Sequence, residues 1–60
     1  MKVKEFARMF DGRLTVLVIE KDSTSRAYEY GSQPKGVENM KVSRVFARSK
    51  DDAAVTVFRR

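Results

Sequence analysis

The segment Arg13–Glu20, RLTVLVIE, carries apolar side chains at both alternating sets of positions of an extended chain. Four of its residues are β-branched, a class enriched in strands: Thr15, Val16, Val18 and Ile19. Successive side chains of a strand point to opposite faces of its sheet, so a strand that is apolar on both sets is expected to be covered on both faces. The segment therefore predicts a central strand over residues 13–20.

A helical repeat precedes this strand. Its apolar residues are spaced i, i+3, i+4 and i+7, the pattern of one stripe along a helix, and they are Val3, Phe6, Ala7 and Phe10. This predicts an amphipathic helix over about residues 2–11. Gly12 is well placed to end the helix in a left-handed conformation, which glycine adopts more readily than other residues.

Three later segments are also typical of strands. Residues 26–30, RAYEY, follow a polar turn, while residues 41–49 and 53–59 flank a second polar turn. Residues 31–40 lie between the first two of these segments and contain proline and two glycines, which interrupt regular structure. The order of elements predicts a single α+β domain over residues 1–60, with a short helix on a four-stranded antiparallel sheet made of two hairpins.

One short helix covers only part of such a sheet. A helix is about 10–12 Å across, whereas four strands span roughly 19 Å. The last hairpin is apolar on both alternating sets, so the sequence leaves open which of its faces the helix covers. The sheet is therefore expected to curl toward a small barrel, to pack on a second copy, or to bind another macromolecule through an uncovered face.

The RAYEY segment raises the question of a stacking platform for bases. Alternation directs either both tyrosines or Ala27 and Glu29 toward the core, and burying an unpaired Glu29 is costly. Tyrosine can instead bury its ring and keep its hydroxyl at the rim. We therefore predict that the tyrosines face the core, and a base-stacking platform remains the alternative. The predicted core contains Phe6, Phe10, Val16, Val18, Tyr28 and Val57.

Arginines gather beside the aromatic residues of the last hairpin. The net charge is +5, from 13 Lys and Arg against 8 Asp and Glu, which favours an acidic partner without naming one. Alternating arginine and aromatic side chains can stack bases and neutralise phosphates, although arginines also solvate edge strands. The candidate binding surface consists of Arg44, Phe46, Arg48, Phe58, Arg59 and Arg60.

Catalysis and cofactor binding are not expected. The sequence contains no histidine and no cysteine, so the commonest general base, the strongest nucleophile and the usual zinc ligands are missing. Asp51 and Asp52 could hold Mg²⁺, but adjacent acids in a polar loop are more typical of a turn. We expect a protein that is not an enzyme, with no cofactor, no metal and no small-molecule substrate.

Membrane insertion is not expected either. The longest uninterrupted apolar run, residues 16–19, is far shorter than the roughly 20 residues that cross a bilayer. The basic start lacks the apolar stretch of a secretory signal, which predicts a cytoplasmic protein.

The first half of the chain carries a family resemblance. VKEFARMFDG, followed by LTVLVIE and by YEYG, resembles short uncharacterised proteins of bacteriophages and prophages. The resemblance implies an accessory protein that acts by binding, for example to a host or defence protein, and it carries over no functional residue.

Two functional hypotheses follow. The first is a protein-interaction module, self-association to a homodimer included, that uses the uncovered sheet face. The second is a nucleic-acid-binding protein that uses the basic C-terminal hairpin.

Overall fold

The computed structural model describes residues 1–59 of the chain, and within them it confirms the α+β class. The elements in chain order are α1 (Val3–Met9), β1 (Arg13–Glu20), β2 (Ser25–Glu29), a 3-10 turn (Val37–Asn39), β3 (Arg44–Ser49) and β4 (Asp52–Arg59). β1 has the predicted bounds, whereas α1 is shorter than the predicted helix.

The ends of α1 follow from local hydrogen bonds. At its start, the backbone N–H of Lys2 donates to the carboxylate of Glu5 at 2.7 Å, which is half of a capping box. Lysine has no side-chain acceptor, so the reciprocal bond is missing. The helix ends at an extended Phe10, and Gly12 is not left-handed, so the predicted glycine stop is wrong.

The sheet is mixed, with the strand order β2-β1-β4-β3. Each hairpin is antiparallel, but β1 and β4 run parallel at the centre. The prediction of a purely antiparallel sheet is wrong because the two hairpins join through strands that point the same way. The sheet is also not closed, since β2 and β3 form its two edges, so the predicted curling into a barrel does not occur.

The core lies on one face of this sheet. Its buried side chains form one cluster, made of Val3, Leu14, Val16, Val18, Val37, Ala53, Val55 and Val57. Valines of β1 and β4 thus pack against α1 and the 3-10 turn, which both lie on this face. Three of the predicted core residues are buried, whereas Phe6, Phe10 and Tyr28 are half-buried and pack around the cluster.

The beginning of the chain is attached to the segment that precedes β3. The N–H of Val3 donates to the carbonyl of Met40 at 3.0 Å, and the N–H of Val42 donates to the carbonyl of Met1 at 2.8 Å. Lys41, which the sequence predicts as the start of the third strand, instead forms an isolated bridge with Lys2. These bonds hold α1 against the core face. The opposite face of the sheet has no covering layer built from residues 1–59.

Candidate binding face

The strand register assigns every strand residue to one of the two sheet faces. We call the face opposite α1 the open face; it carries the odd-numbered residues of β1 and β2 and the even-numbered residues of β4. The register of β3 adds Arg44 and Phe46 to it. Its apolar side chains are Leu17, Ile19, Ala27, Phe46, Ala54 and Phe58.

These apolar side chains are covered by no other element of residues 1–59. Leu17 and Ile19 are half-buried because their neighbours on the flanking strands surround them. Away from them the exposure is greater: Ala27 on β2 is exposed, and 64% of Phe46 and 41% of Phe58 is accessible to solvent. Contiguous apolar surface of this kind marks interaction sites in soluble proteins.

Arg44 lies between the two exposed phenylalanines. Arg44 is opposite Thr56 on β4. Phe46 lies two residues after Arg44 on β3, and Phe58 lies two residues after Thr56 on β4. Because β3 and β4 are antiparallel, the two rings lie on either side of Arg44 along the strand direction. Within residues 1–59, no carboxylate lies within 4.0 Å of the Arg44 guanidinium. The open face therefore contains a cation beside its two exposed rings.

Ion pairs border the open face where β1 and β4 begin. Arg13 lies 3.7 Å from the carboxylate of Glu29, and Arg48 lies 3.9 Å from the carboxylate of Asp52. Both pairs are near the surface, so they contribute little stability and instead form a polar rim beside the apolar centre.

The structure divides the candidate residues into groups. Arg44, Phe46 and Phe58 are together on the open face, and Arg48 is at its rim, at a register shift between Ala47 and Ser49. Arg59 belongs to the opposite face, where its Nε donates to Glu20 at 3.1 Å. Arg60 lies outside the described residues.

Leu17, Ile19 and Ala27 lie on the open face but are not among the residues that the sequence predicts for the binding surface. The signal for the first two is present, because β1 is apolar on both alternating sets. That pattern predicts coverage on both faces, whereas the fold covers only the set that contains Val16 and Val18. In RAYEY, Tyr28 lies opposite Val16 and packs on the core, as predicted, and Glu29 lies on the open face.

The sheet edges are better protected than the open face. All six residues of β3 are exposed, but this edge carries two arginines and a register irregularity, which both discourage strand addition. The β2 edge is only five residues long and carries Arg26 and Glu29. The edges are thus guarded against strand addition, whereas the described centre of the open face, at Leu17, Ile19 and Ala54, carries no charged side chain.

A shallow depression lies on the α1 side of the sheet, beside the β1–β2 turn. It is lined by Glu20, Lys21, Asp22, Thr24, Arg26, Tyr28 and Arg59. Its acids already have partners, because Glu20 pairs with Arg59 and Asp22 accepts hydrogen bonds from the hydroxyl and the N–H of Thr24. The bonds from Thr24 lower the pKa of Asp22 below its ordinary value.

Neither a metal-binding cluster nor a membrane-spanning helix is found in the described part of the chain. Residues 1–59 bring together no group of three or more His, Cys, Asp or Glu side chains that could hold a metal ion. Neither of the helical segments that these residues form is long and apolar enough to span a membrane.

Comparisons with known proteins add no assignment. Searches against protein-family models, curated proteins and solved structures each found no match to this chain. The resemblance of the first half to short phage and prophage proteins therefore stays a hypothesis.

Proposed function

We propose that the chain is a non-enzymatic binding protein that contacts another protein through the open face. The observation that carries the proposal is the exposed apolar surface around Phe46, on a sheet face that residues 1–59 leave without a covering layer. An apolar centre with aromatic and arginine side chains, bordered by ion pairs, is the composition of a protein interface.

The size of the open face limits the kind of complex. Four strands and about six residues along each strand give a projected area of roughly 350 Å², well below the about 800 Å² per partner of a stable interface. The partner is therefore proposed to extend over β3, where Val45, on the opposite face, is 50% exposed. If it remains on the open face alone, the complex is a transient one.

The resemblance to phage and prophage proteins supports an accessory role. In that role the protein binds a bacterial host protein rather than converting a substrate, in agreement with the absence of histidine and cysteine from the sequence. No residue assignment depends on the resemblance, because the open face is defined by the strand register alone.

Site-specific photocrosslinking in bacterial cells tests this proposal. A photoreactive phenylalanine analogue is placed at position 46 in one variant and at position 9 in another. Met9 is the matched control, because it is 66% exposed, as Phe46 is 64% exposed, but belongs to α1. We expect discrete protein adducts from position 46 that are absent from position 9. Equal adducts from both positions, or none from position 46, would contradict the proposal.

Nucleic-acid binding is the second candidate, and the position of Arg44 between Phe46 and Phe58 favours it. An arginine between exposed rings can contact a phosphate while bases stack on the rings. The separation of Arg59 onto the other face reduces the number of phosphates that one strand of nucleic acid could reach.

Oligonucleotide titration tests the second candidate. Labelled single-stranded and duplex oligonucleotides are titrated at about 50 and 200 mM salt, a range over which phosphate-driven binding weakens strongly. Binding at the lower salt that is weakened by Arg44→Gln would support nucleic acid as the ligand. No binding at the lower salt would exclude it.

A further inference from the structure

We infer that the protein partner of the open face presents a carboxylate to Arg44 from within an apolar surface. The inference rests on the proposed function and identifies the chemistry of the partner: an acidic, partly apolar protein surface, rather than a second copy of this chain or a nucleic acid.

Arg44 differs from three of the other four arginines in the strands. Arg13, Arg48 and Arg59 have carboxylates at 3.7, 3.9 and 3.1 Å, respectively. Arg44, the first residue of β3, lies opposite Thr56 and has no carboxylate within 4.0 Å among residues 1–59. The fold therefore pairs the two arginines at the rim of the open face, Arg13 and Arg48, and leaves Arg44 to solvent.

Any partner that covers the exposed phenylalanines also covers Arg44. Removing a guanidinium from water costs free energy unless hydrogen-bond acceptors replace the water. The planar guanidinium is matched best by a carboxylate, which can accept two parallel N–H bonds. The partner that covers this face at the lowest cost is therefore one that brings an aspartate or glutamate to Arg44.

A second copy of the chain does not meet this requirement. The carboxylates at the open face, Glu29 and Asp52, already pair with Arg13 and Arg48. Each copy also carries a net charge of +5, so association of two copies is opposed by repulsion, whereas association with an acidic protein is favoured.

The apolar content of the open face favours a protein over a nucleic acid. Phosphates would satisfy Arg44, and two rings could stack bases. Leu17, Ile19 and Ala27, however, extend the face across β1 and β2 with aliphatic side chains. Aliphatic surface is best covered by apolar side chains, which a nucleic acid lacks.

Selection from a library of displayed random peptides tests this inference and does not require the partner to be identified first. The library is panned against the intact protein, and excess Phe46→Ser protein is added as a competitor to remove peptides that do not need the open face. We expect the recovered peptides to combine Asp or Glu with apolar residues. Circular dichroism of each variant checks that the fold is retained.

Calorimetry with the recovered peptides then measures the role of Arg44. Arg44→Gln should weaken binding by roughly tenfold to a hundredfold, the range for a hydrogen bond between charged groups. Arg26→Gln is the matched control and should change affinity less than about twofold, as a surface change outside the contact. Arg26 also has no carboxylate within 4.0 Å in the described chain, but its register opposite Val18 places it on the other face.

The outcomes separate the inference from the proposed function. Peptides that need Phe46 but are not acidic, or that bind Arg44→Gln as tightly as the parent, would overturn the acidic partner and leave the open face as the binding site. If the panning against this competitor recovers no peptide that binds the parent protein, the proposed function fails as well.

Discussion

Gly12 passes so close to Asp51 that a Cβ on Gly12 would lie 2.5 Å from the Asp51 carbonyl oxygen. The same oxygen accepts the N–H of Arg13 at 2.7 Å. Arg13 lies opposite Asp52 at the start of the parallel pairing of β1 and β4, so this contact is where the two hairpins join. Glycine is required here because it has no side chain, and not because of a left-handed backbone.

Gly12→Ala is expected to lower the free energy of unfolding by about 1–3 kcal/mol, because the atom it collides with is backbone and can move only with the strand. Glycine-to-alanine changes at compatible positions instead stabilise by about 0.4–1 kcal/mol. Chemical denaturation measures the difference. An unchanged or increased stability would show that β1 and β4 do not approach in this way.

Gly36 provides the control for this experiment. A Cβ there meets no atom within 4 Å, but the residue has a φ of +95°. Asparagine tolerates positive φ better than alanine does. Gly36→Asn should therefore recover part of the stability that Gly36→Ala loses, whereas Gly12→Asn should remain at least as destabilising as Gly12→Ala.

Val55→Ala tests the one-sided core. Val55 is fully buried on the α1 side of β4, so its truncation should cost about 2 kcal/mol from lost burial and the cavity left behind. Phe46→Ala, on the exposed surface of the neighbouring β3, should change stability by no more than about 0.5 kcal/mol. Equal losses in denaturation experiments would mean that the open face is covered in the free protein.

Local patterns predict that four strands exist, because each pattern reflects residues close in sequence, although β3 begins at Arg44 rather than at Lys41. β-branched residues and polar turns locate β1 at its observed bounds, and the preference against burying Glu29 places Tyr28 on the core side. The helix ends earlier than predicted because Phe10 leaves in an extended conformation, although its ring still stacks on Phe6 at 5.7 Å. The periodicity of apolar side chains is the same whether Phe10 is helical or is an extended residue that packs on the helix, so it does not predict where α1 ends.

The pairing of β1 with β4 is not predicted because it joins residues about forty positions apart. The apolar content of both alternating sets in β1 and β4 is typical of parallel strands, but it fits an uncovered face as well. The candidate site is predicted only in part. Arg44 and Phe46, two residues apart on one strand, share a face as predicted, whereas Phe58 and Arg59 are adjacent and therefore point to opposite faces.

Acidification should weaken the start of α1. The N–H of Lys2 donates to the Glu5 carboxylate, and this bond is the main reason that the pKa of Glu5 lies below its ordinary value of 4.5. A lowered pKa in the folded state means that the stabilisation is complete above 4.5 and is lost as the pH falls through the folded pKa.

NMR titration of the Glu5 carboxyl measures this effect in the folded protein and in denaturant. We expect the lower midpoint in the folded protein. Glu5→Gln keeps a side-chain acceptor for the Lys2 N–H but removes the charge, so it should abolish this contribution to the pH dependence of helix content. Identical midpoints in the two states would show that the bond to Lys2 does not form in solution.

Salt should act in opposite directions on the two kinds of protein complex that the open face can form. Two copies repel each other through their net charge of +5, so any self-association through the apolar face should be weak at about 0.1 M sodium chloride. It should strengthen at about 1 M, where the Debye length falls from about 10 to about 3 Å. Binding of an acidic partner should instead weaken over the same range, because screening removes the attraction to Arg44.

Gel filtration with light scattering measures the self-association at both salt concentrations. Phe46→Ser should abolish the association seen at high salt, whereas Met9→Ser, equally exposed but on α1, should leave it unchanged. A dimer that is already complete at 0.1 M and is lost with Phe46→Ser would identify a second copy as the occupant of the open face, because contact energy would then exceed the repulsion. That result would overturn the inference of an acidic partner, because the open face and its Arg44 would already be covered in the dimer.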